Sequence, residues 1–252
     1  DCETIKGSGY IPIACSLVEV PHYLFEFAVM NNGTVENHLE VPTLDENGNL
    51  RDDEVSRKWV AALNDIKALY DLGYFPPNTL TATDEETVSL FGNGKAAFLV
   101  DGSWQVGHLG GRFGDKIENM AVRFVPGKGE RKATEGIGGI SMGYFITRKA
   151  WKNPEKRDAA VRFVEMLTSN EILSTFIRTE VTALIDGASP VGLNSLEQSA
   201  AETNAQLTRV SLAVQDAISA EAKSTLFTSI QKVVTGQMTA EKAVATAIQR
   251  NE

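Results

Sequence analysis

Two kinds of side chain in this sequence could do covalent chemistry: carboxylates acting in pairs, and Cys15 acting with one of the three histidines, His22, His38 and His108. Paired carboxylates hydrolyse glycosidic bonds, and a thiol deprotonated by an imidazole attacks carbonyls. Neither arrangement has a supporting pattern here, because the chain holds no GxSxG elbow, no HExxH and no GxxxxGK[ST]. No catalytic residue is assigned, and the chain reads as a non-enzyme. The two cysteines, Cys2 and Cys15, form no CxxC pair and stand near no histidine at ligand spacing, so neither a metal site nor a cofactor is expected. The DENGN run from Asp45 fails as a calcium loop, since its sixth position is Leu50 where glycine is needed and its twelfth is Ser56 where glutamate is needed.

The remaining candidates suit recognition. Trp104 follows Asp101, Gly102 and Ser103 just beyond an apolar run, a setting that fits a loop over a binding surface better than a core position. An indole face packs against the apolar face of a ring-shaped polyol while neighbouring polar groups bond its hydroxyls. Asp101 and Glu19 could accept hydrogen bonds from such hydroxyls, or serve as ordinary loop and helix-capping carboxylates. His22 and Tyr23 offer groups that both donate and accept, or else a half-buried helix start. Gly138 and Gly139 would let the backbone approach a ligand closely, or form a plain loop.

These residues need elements to hold them. Ile11–Cys15 and Ala96–Val100 are short apolar runs bounded by turn residues, expected as buried strands. Pro21 opens a largely buried helix over residues 22–30 that stops at Asn31, Asn32 and Gly33. A strand or two with a tight turn at Asn47 and Gly48 is expected within 36–51. Helical spacing of Val55, Trp59, Ala62, Leu63, Ile66 and Leu69 behind Asp52 and Asp53 predicts a helix with Trp59 in the core. Thr83 and Glu86 form a capping box for the next helix. Further strands are expected at 120–125 and 140–147, separated by a glycine-rich stretch. Asn153 and Pro154 start another helix, and the chain from about Asn194 is almost wholly helical, with Gly236 and Thr239 dividing its last two helices. Strands alternating with helices predict an α/β fold.

Composition bounds the function. A formal net charge of -9, without a Lys/Arg cluster, argues against a nucleic-acid partner. The basic stretch 128–132 reads as a solvated loop. Hydrophobic residues at 42% and charged residues at 23% match a folded soluble domain, and no apolar run approaches the roughly 20 residues that cross a bilayer.

The string FGNGKAAFLVDGSW, Phe91 to Trp104, resembles the most recognisable motif of family 1 extracellular solute-binding proteins, the maltose-binding-protein-like components of bacterial ABC importers. EVPHYLFEFAVMNNG (19–33) is similar to that family's cleft-facing helix, GGISMGYFITRKAWKNPEKRDAAVRFVEMLTSNE to its return to the first lobe, and VVTGQMTAEKAVATAIQ to its terminal helix pair. The resemblance implies a periplasmic-binding-protein-like type II fold. It places 10–135 and 190–252 in the C-terminal lobe and 136–189 in the returning part of the N-terminal lobe, with 1–9 a remnant of that lobe or the hinge and the rest of the N-terminal lobe outside this chain. The implied function is capture of a sugar or oligosaccharide for import, at Trp104, Tyr23, His22, Asp101, Ser103, Glu19, Gly138 and Gly139, with lobe closure docking onto an ABC permease. The implied location is extracellular, as a membrane-anchored lipoprotein or in the periplasm. Ile140, Met142, Phe145, Phe163, Val164, Leu167, Ile172 and Phe176 would pack on the first lobe, so the chain alone is expected to bury them on itself, leave them poorly ordered, or self-associate. The alternatives are a carbohydrate-active hydrolase fragment and a non-transport interaction domain.

Overall fold

The computed structural model describes residues 1–139, 143–176 and 192–251. In chain order the elements are α1 (Cys2–Gly7), β1 (Ile11–Ala14), α2 (Pro21–Asn31), α3 (Glu54–Asp71), α4 (Asp84–Gly92), β2 (Ala96–Leu99) and α5 (Trp104–Phe113). There follow β3 (Glu135–Ile137), α6 (Arg148–Trp151), α7 (Pro154–Leu167), α8 (Asn170–Phe176), α9 (Ser195–Asn204), β4 (Arg209–Ser211), α10 (Ala220–Val234) and α11 (Ala240–Ile248). Two compact units emerge: Asp1–Gly102 with Phe124–Gly139 and Leu207–Glu252, and Ser103–Arg123 with Ile140–Gln206. These do not coincide with the lobe bounds expected from sequence. Residues 1–9, expected as a remnant, lie in the first unit, where Lys6 Nζ donates to the Leu72 carbonyl (2.6 Å) and Glu3 accepts from the Tyr74 hydroxyl (2.6 Å).

The core of the first unit is helical. Trp59, Leu63 and Ile66 of α3 are fully buried, as their spacing predicts, and pack with Phe25 and Val29 of α2, Leu226 and Ile230 of α10, and Val244 of α11. Phe25 meets Trp59 edge-on at 5.4 Å between ring centroids, a favoured aromatic geometry. The helix ends follow their capping residues. Asp53 accepts from the Ser56 amide, the Thr83–Glu86 capping box closes reciprocally, and Thr239 caps α11.

Both sheets are two-stranded and parallel. Ile11 stands opposite Ala96 and Ile13 opposite Phe98 in one, and Glu135 opposite Arg209 in the other. Within β1 the Ile13 amide also donates to the Tyr74 carbonyl, and beyond the strand the Leu17 amide donates to the Thr79 carbonyl (both 2.9 Å). The Ala96–Val100 run is a strand but not a buried one: Phe98 is 47% exposed, because a two-stranded sheet leaves part of its surface uncovered.

Other expectations are corrected. Residues 120–125 form no strand; the Val122 backbone bonds instead to Ser199 Oγ and Thr203 Oγ1 of α9. Of 140–147, the first three lie outside the described residues and 143–147 form no strand. The glycine-rich stretch before them supplies β3, and its partner β4 interrupts the supposedly helical tail. Within 36–51 there is a single antiparallel bridge, Leu44 to Leu50, around a turn in which Asp45 Oδ1 accepts from the Asn47 and Asn49 amides. The 128–132 loop is not merely solvated, since buried Arg131 donates to the carbonyls of Val125, Pro126 and Glu135 and to Asn31 Oδ1.

In the second unit Asn153 caps α7 as its sequence predicts, accepting from the Lys156 amide (3.2 Å). No residue of α7 is buried. Phe145 is 89% exposed, and Phe163, Met166 and Trp151 are more than half exposed. Ile140, Met142 and the side chain of Phe176 lie outside what is described.

Candidate functional site

Every candidate residue lies within about ten positions of the carboxyl end of a parallel strand. Glu19, His22 and Tyr23 follow β1, Asp101, Ser103 and Trp104 follow β2, and Gly138 and Gly139 follow β3. In open α/β sheets ligands bind outside the carboxyl ends of the strands, where loops and helix starts converge.

After β1 the chain makes a turn around Ser16, whose buried hydroxyl donates to the Ala82 carbonyl (2.7 Å) and accepts from the Glu19 amide (3.0 Å). Glu19 Oε2 accepts from the Asp84 amide (2.7 Å), in the first turn of α4, so this carboxylate serves as a helix-capping group. Pro21 then opens α2 and sets His22 and Tyr23 half-buried on its first turn, their rings 4.3 Å apart. The His22 ring also stacks on Phe227 of α10 at 5.3 Å, with the planes 21° apart. Burial pushes the His22 pKa below its ordinary value, the Glu26 carboxylate raises it in part, and the Lys223 ammonium lowers it further.

One turn along α2, Glu26 anchors this arrangement. Its carboxylate accepts from the Val214 amide (2.7 Å) and the Gln215 amide (3.0 Å) and lies 3.2 Å from His38 Nε2, with Glu26 and His38 both buried. Glu26, Lys223 and Phe227 were not singled out from sequence. The one available signal was spacing, since His22 and Glu26, like Lys223 and Phe227, stand four residues apart on one helix face.

After β2, Asp101 Oδ1 accepts from the Gly102 amide (2.6 Å), and the negative charges of Asp84 and Asp101 reach Cys15. Burial first and these charges second push the Cys15 thiol up to about 12. That thiol stays protonated at neutral pH, the opposite of what a nucleophilic cysteine needs. Trp104 is corrected from a loop residue to the first residue of α5, with Ser103 at the N-cap position. The helix was hidden because Gly107, Gly110 and Gly111 are poor helix formers, while buried Val106 and Leu109 hold it in place. The indole is 56% exposed, as a ligand-stacking surface requires.

After β3, the Gly138 amide donates to the Ser211 carbonyl (2.9 Å), so it extends the β3–β4 ladder and is not offered to a ligand. A Cβ at Gly138 would lie 3.0 Å from Val210 Cγ1, and one at Gly139, whose φ is +145°, would lie 2.7 Å from Leu212 Cδ2. Close approach of Val210 in β4 and of Leu212 just after it therefore accounts for both glycines. Among the described residues no three His, Cys, Asp or Glu side chains converge as metal ligands.

A family profile for bacterial extracellular solute-binding proteins matches residues 26–188, more than half of the chain. This chain belongs to that family. Its members are binding proteins, in keeping with the absence of a catalytic motif from the sequence. The fold is also that of solved solute-binding proteins. A chitin oligosaccharide binding protein aligns with a TM-score of 0.75 at 21% identity over 99% of this chain and 62% of that one. AcbH, a bacterial solute receptor described as having an exclusive preference for β-D-galactopyranose, aligns with a TM-score of 0.70 at 15% identity over 100% of this chain and 61% of its own. A maltose-bound T. maritima MalE3 aligns with a TM-score of 0.58 at 18% identity over 98% and 62%. The solute-binding chain thus spans about three-fifths of the length of these structures. No match is found among curated proteins.

Proposed function

We propose that this solute-binding chain captures a sugar or oligosaccharide as the substrate-binding component of an ABC importer, outside the cell, as a lipoprotein or periplasmic protein. The observation that carries the reading is the exposed Trp104 indole, presented directly after a parallel strand's carboxyl end in a fold shared with saccharide-binding proteins. Tyr23 and His22 supply polar edges and a second aromatic surface after the neighbouring strand β1. Stacking of this kind gives affinity, and hydrogen bonds to hydroxyls give selectivity.

In this reading residues 10–135 and 190–252 belong to one lobe and 136–189 to the other, and closure of the lobes traps the sugar and creates the surface that a permease recognises. The exposure of Phe145, Phe163 and Met166 supports a second surface covering that region in the working protein, or self-association where nothing covers it. A cysteine hydrolase is disfavoured by the neutral, buried Cys15.

Calorimetry with a panel of mono- and oligosaccharides tests the proposal, on the 252-residue chain and on the longest polypeptide that its gene encodes. Binding is expected to be tight in the longer form and weak in the shorter one, where fewer contacts repay the cost of immobilising the ligand. Equal affinity in both would remove the two-lobe mechanism. Failure of the longer form to bind any saccharide would remove the sugar.

A further inference from the structure

Residues 148–157 hold five cations, Arg148, Lys149, Lys152, Lys156 and Arg157, against a single carboxylate, Glu155, in a chain whose net charge is -9. The stretch was not recognised as a basic cluster from sequence, because it is split between two helices. Helix α6 ends at Trp151 and α7 begins at Pro154, and the Arg157 guanidinium lies over the Trp151 ring, 5.9 Å from its centroid, which joins the two halves. Arg148, Trp151 and Lys152 stand at i, i+3 and i+4 and so share one face. Trp151 is 55% exposed, and Arg148, Lys149, Lys152 and Lys156 are all exposed. Arg157 pairs with Asp158 at 3.1 Å. Among the described residues the other four cations and the Trp151 indole N–H make no ion pair or side-chain hydrogen bond.

This patch differs from the apolar surface of Phe145, Phe163 and Met166 in the same unit, which suits burial against protein. Protein interfaces are depleted of lysine, and a charge buried there without a partner is costly. Three of the four free cations around Trp151 are lysines, compact charges on flexible stems that need no fixed partner geometry. An amphipathic indole ringed by such charges is the composition that lies at the headgroup level of a bilayer, the ring in the interface and the cations on anionic lipid.

We propose that the corner between α6 and α7 docks this protein on an anionic phospholipid surface, with Trp151 entering the headgroup layer and Arg148, Lys149, Lys152 and Lys156 meeting the lipid phosphates. The chain as a whole is negative and is repelled from the same surface, so the patch also sets which side of its unit turns toward the membrane. The proposal goes beyond the saccharide reading and does not depend on which ligand is bound.

The test is vesicle co-sedimentation of the longest polypeptide the gene encodes, produced without any acyl chain so that only the protein surface can hold it. The probes are vesicles of phosphatidylcholine alone and of phosphatidylcholine mixed equally with phosphatidylglycerol. Binding to the anionic vesicles should be about tenfold tighter or more, and should fade as salt is raised. Changing Arg148, Lys149, Lys152 and Lys156 to Gln should weaken it by about fivefold for each cation removed, while saccharide affinity by calorimetry stays unchanged. Brominated lipid should quench tryptophan fluorescence in the wild type and not in Trp151→Phe. Equal binding to both vesicle types, anionic binding that survives the fourfold substitution, or quenching that persists in Trp151→Phe overturns the proposal. Absence of vesicle binding, with cross-linking to an ABC permease that the fourfold substitution abolishes, also overturns it and gives the patch to a protein partner.

Discussion

Glu26 Oε2 lies 3.2 Å from His38 Nε2, and the same carboxylate receives the backbone amides of Val214 and Gln215, so one buried side chain ties α2 to the segment that leads into α10. Removing one member of such a network strands the others without partners. Glu26→Ala is expected to cost about 3 to 5 kcal/mol in urea denaturation. It should also weaken ligand binding, because His22 sits one turn away on the same helix. A loss below about 1 kcal/mol, the size of an ordinary surface change or a single neutral bond, would show that the network is dispensable.

Trp104 separates binding from stability. Its indole is 56% exposed, so Trp104→Ala should change stability by no more than about 0.5 kcal/mol. Saccharide affinity should fall by about tenfold or more, equivalent to about 1.4 kcal/mol. Unchanged affinity by calorimetry would remove Trp104 from the site.

Lys58 links stability to alkaline pH. Its side chain is 1% exposed, its Nζ donates to the carbonyls of Asn37 and His38, and burial pushes its pKa down to about 8 against the pull of Glu40 and Glu54. Between pH 8 and the ordinary lysine value of 10.5 the unfolded chain holds a proton that the folded chain has released, so unfolding free energy rises with pH across that window. Lys58→Met should abolish this rise. A wild-type stability that is flat from pH 8 to 10 would contradict the assignment.

Gly139 and Gly111 should respond oppositely to alanine. At Gly139 the φ of +145° and Leu212 at 2.7 Å make Gly139→Ala unfavourable by about 1 to 3 kcal/mol. Gly111 lies in α5 with nothing within 4 Å of a new Cβ, so Gly111→Ala should stabilise by about 0.5 to 1 kcal/mol. Thermal melts of the two variants shifting in the same direction would refute the pair.

Much of the scaffold was legible in the residues because its determinants are local. The Thr83–Glu86 capping box, Asn153 before Pro154, Asp53 before the amphipathic run of α3, and Gly236 with Thr239 each bond within a few positions of themselves, and each stands where its type predicts. The apolar runs at Ile11 and Ala96 are likewise strands, and the motif that runs through Trp104 marked the family. The sequence alone therefore determined the fold class, the helix starts and the loops in which a ligand site could be built.

Tertiary structure decided the rest, through contacts between residues far apart in the chain. Strands β3 and β4 are three residues each, too short to show alternation, and form only because 135–137 and 209–211 meet. Arg131 reads as part of a basic loop until its guanidinium is seen among carbonyls of its own loop and Asn31. Glu19 becomes a capping group only when α4 brings the Asp84 amide to it across 65 residues, and the glycines at 138 and 139 take their role from Val210 and Leu212. Phe227 of α10 comes to stack on His22 of α2, a pairing between helices near opposite ends of the chain that no local pattern encodes.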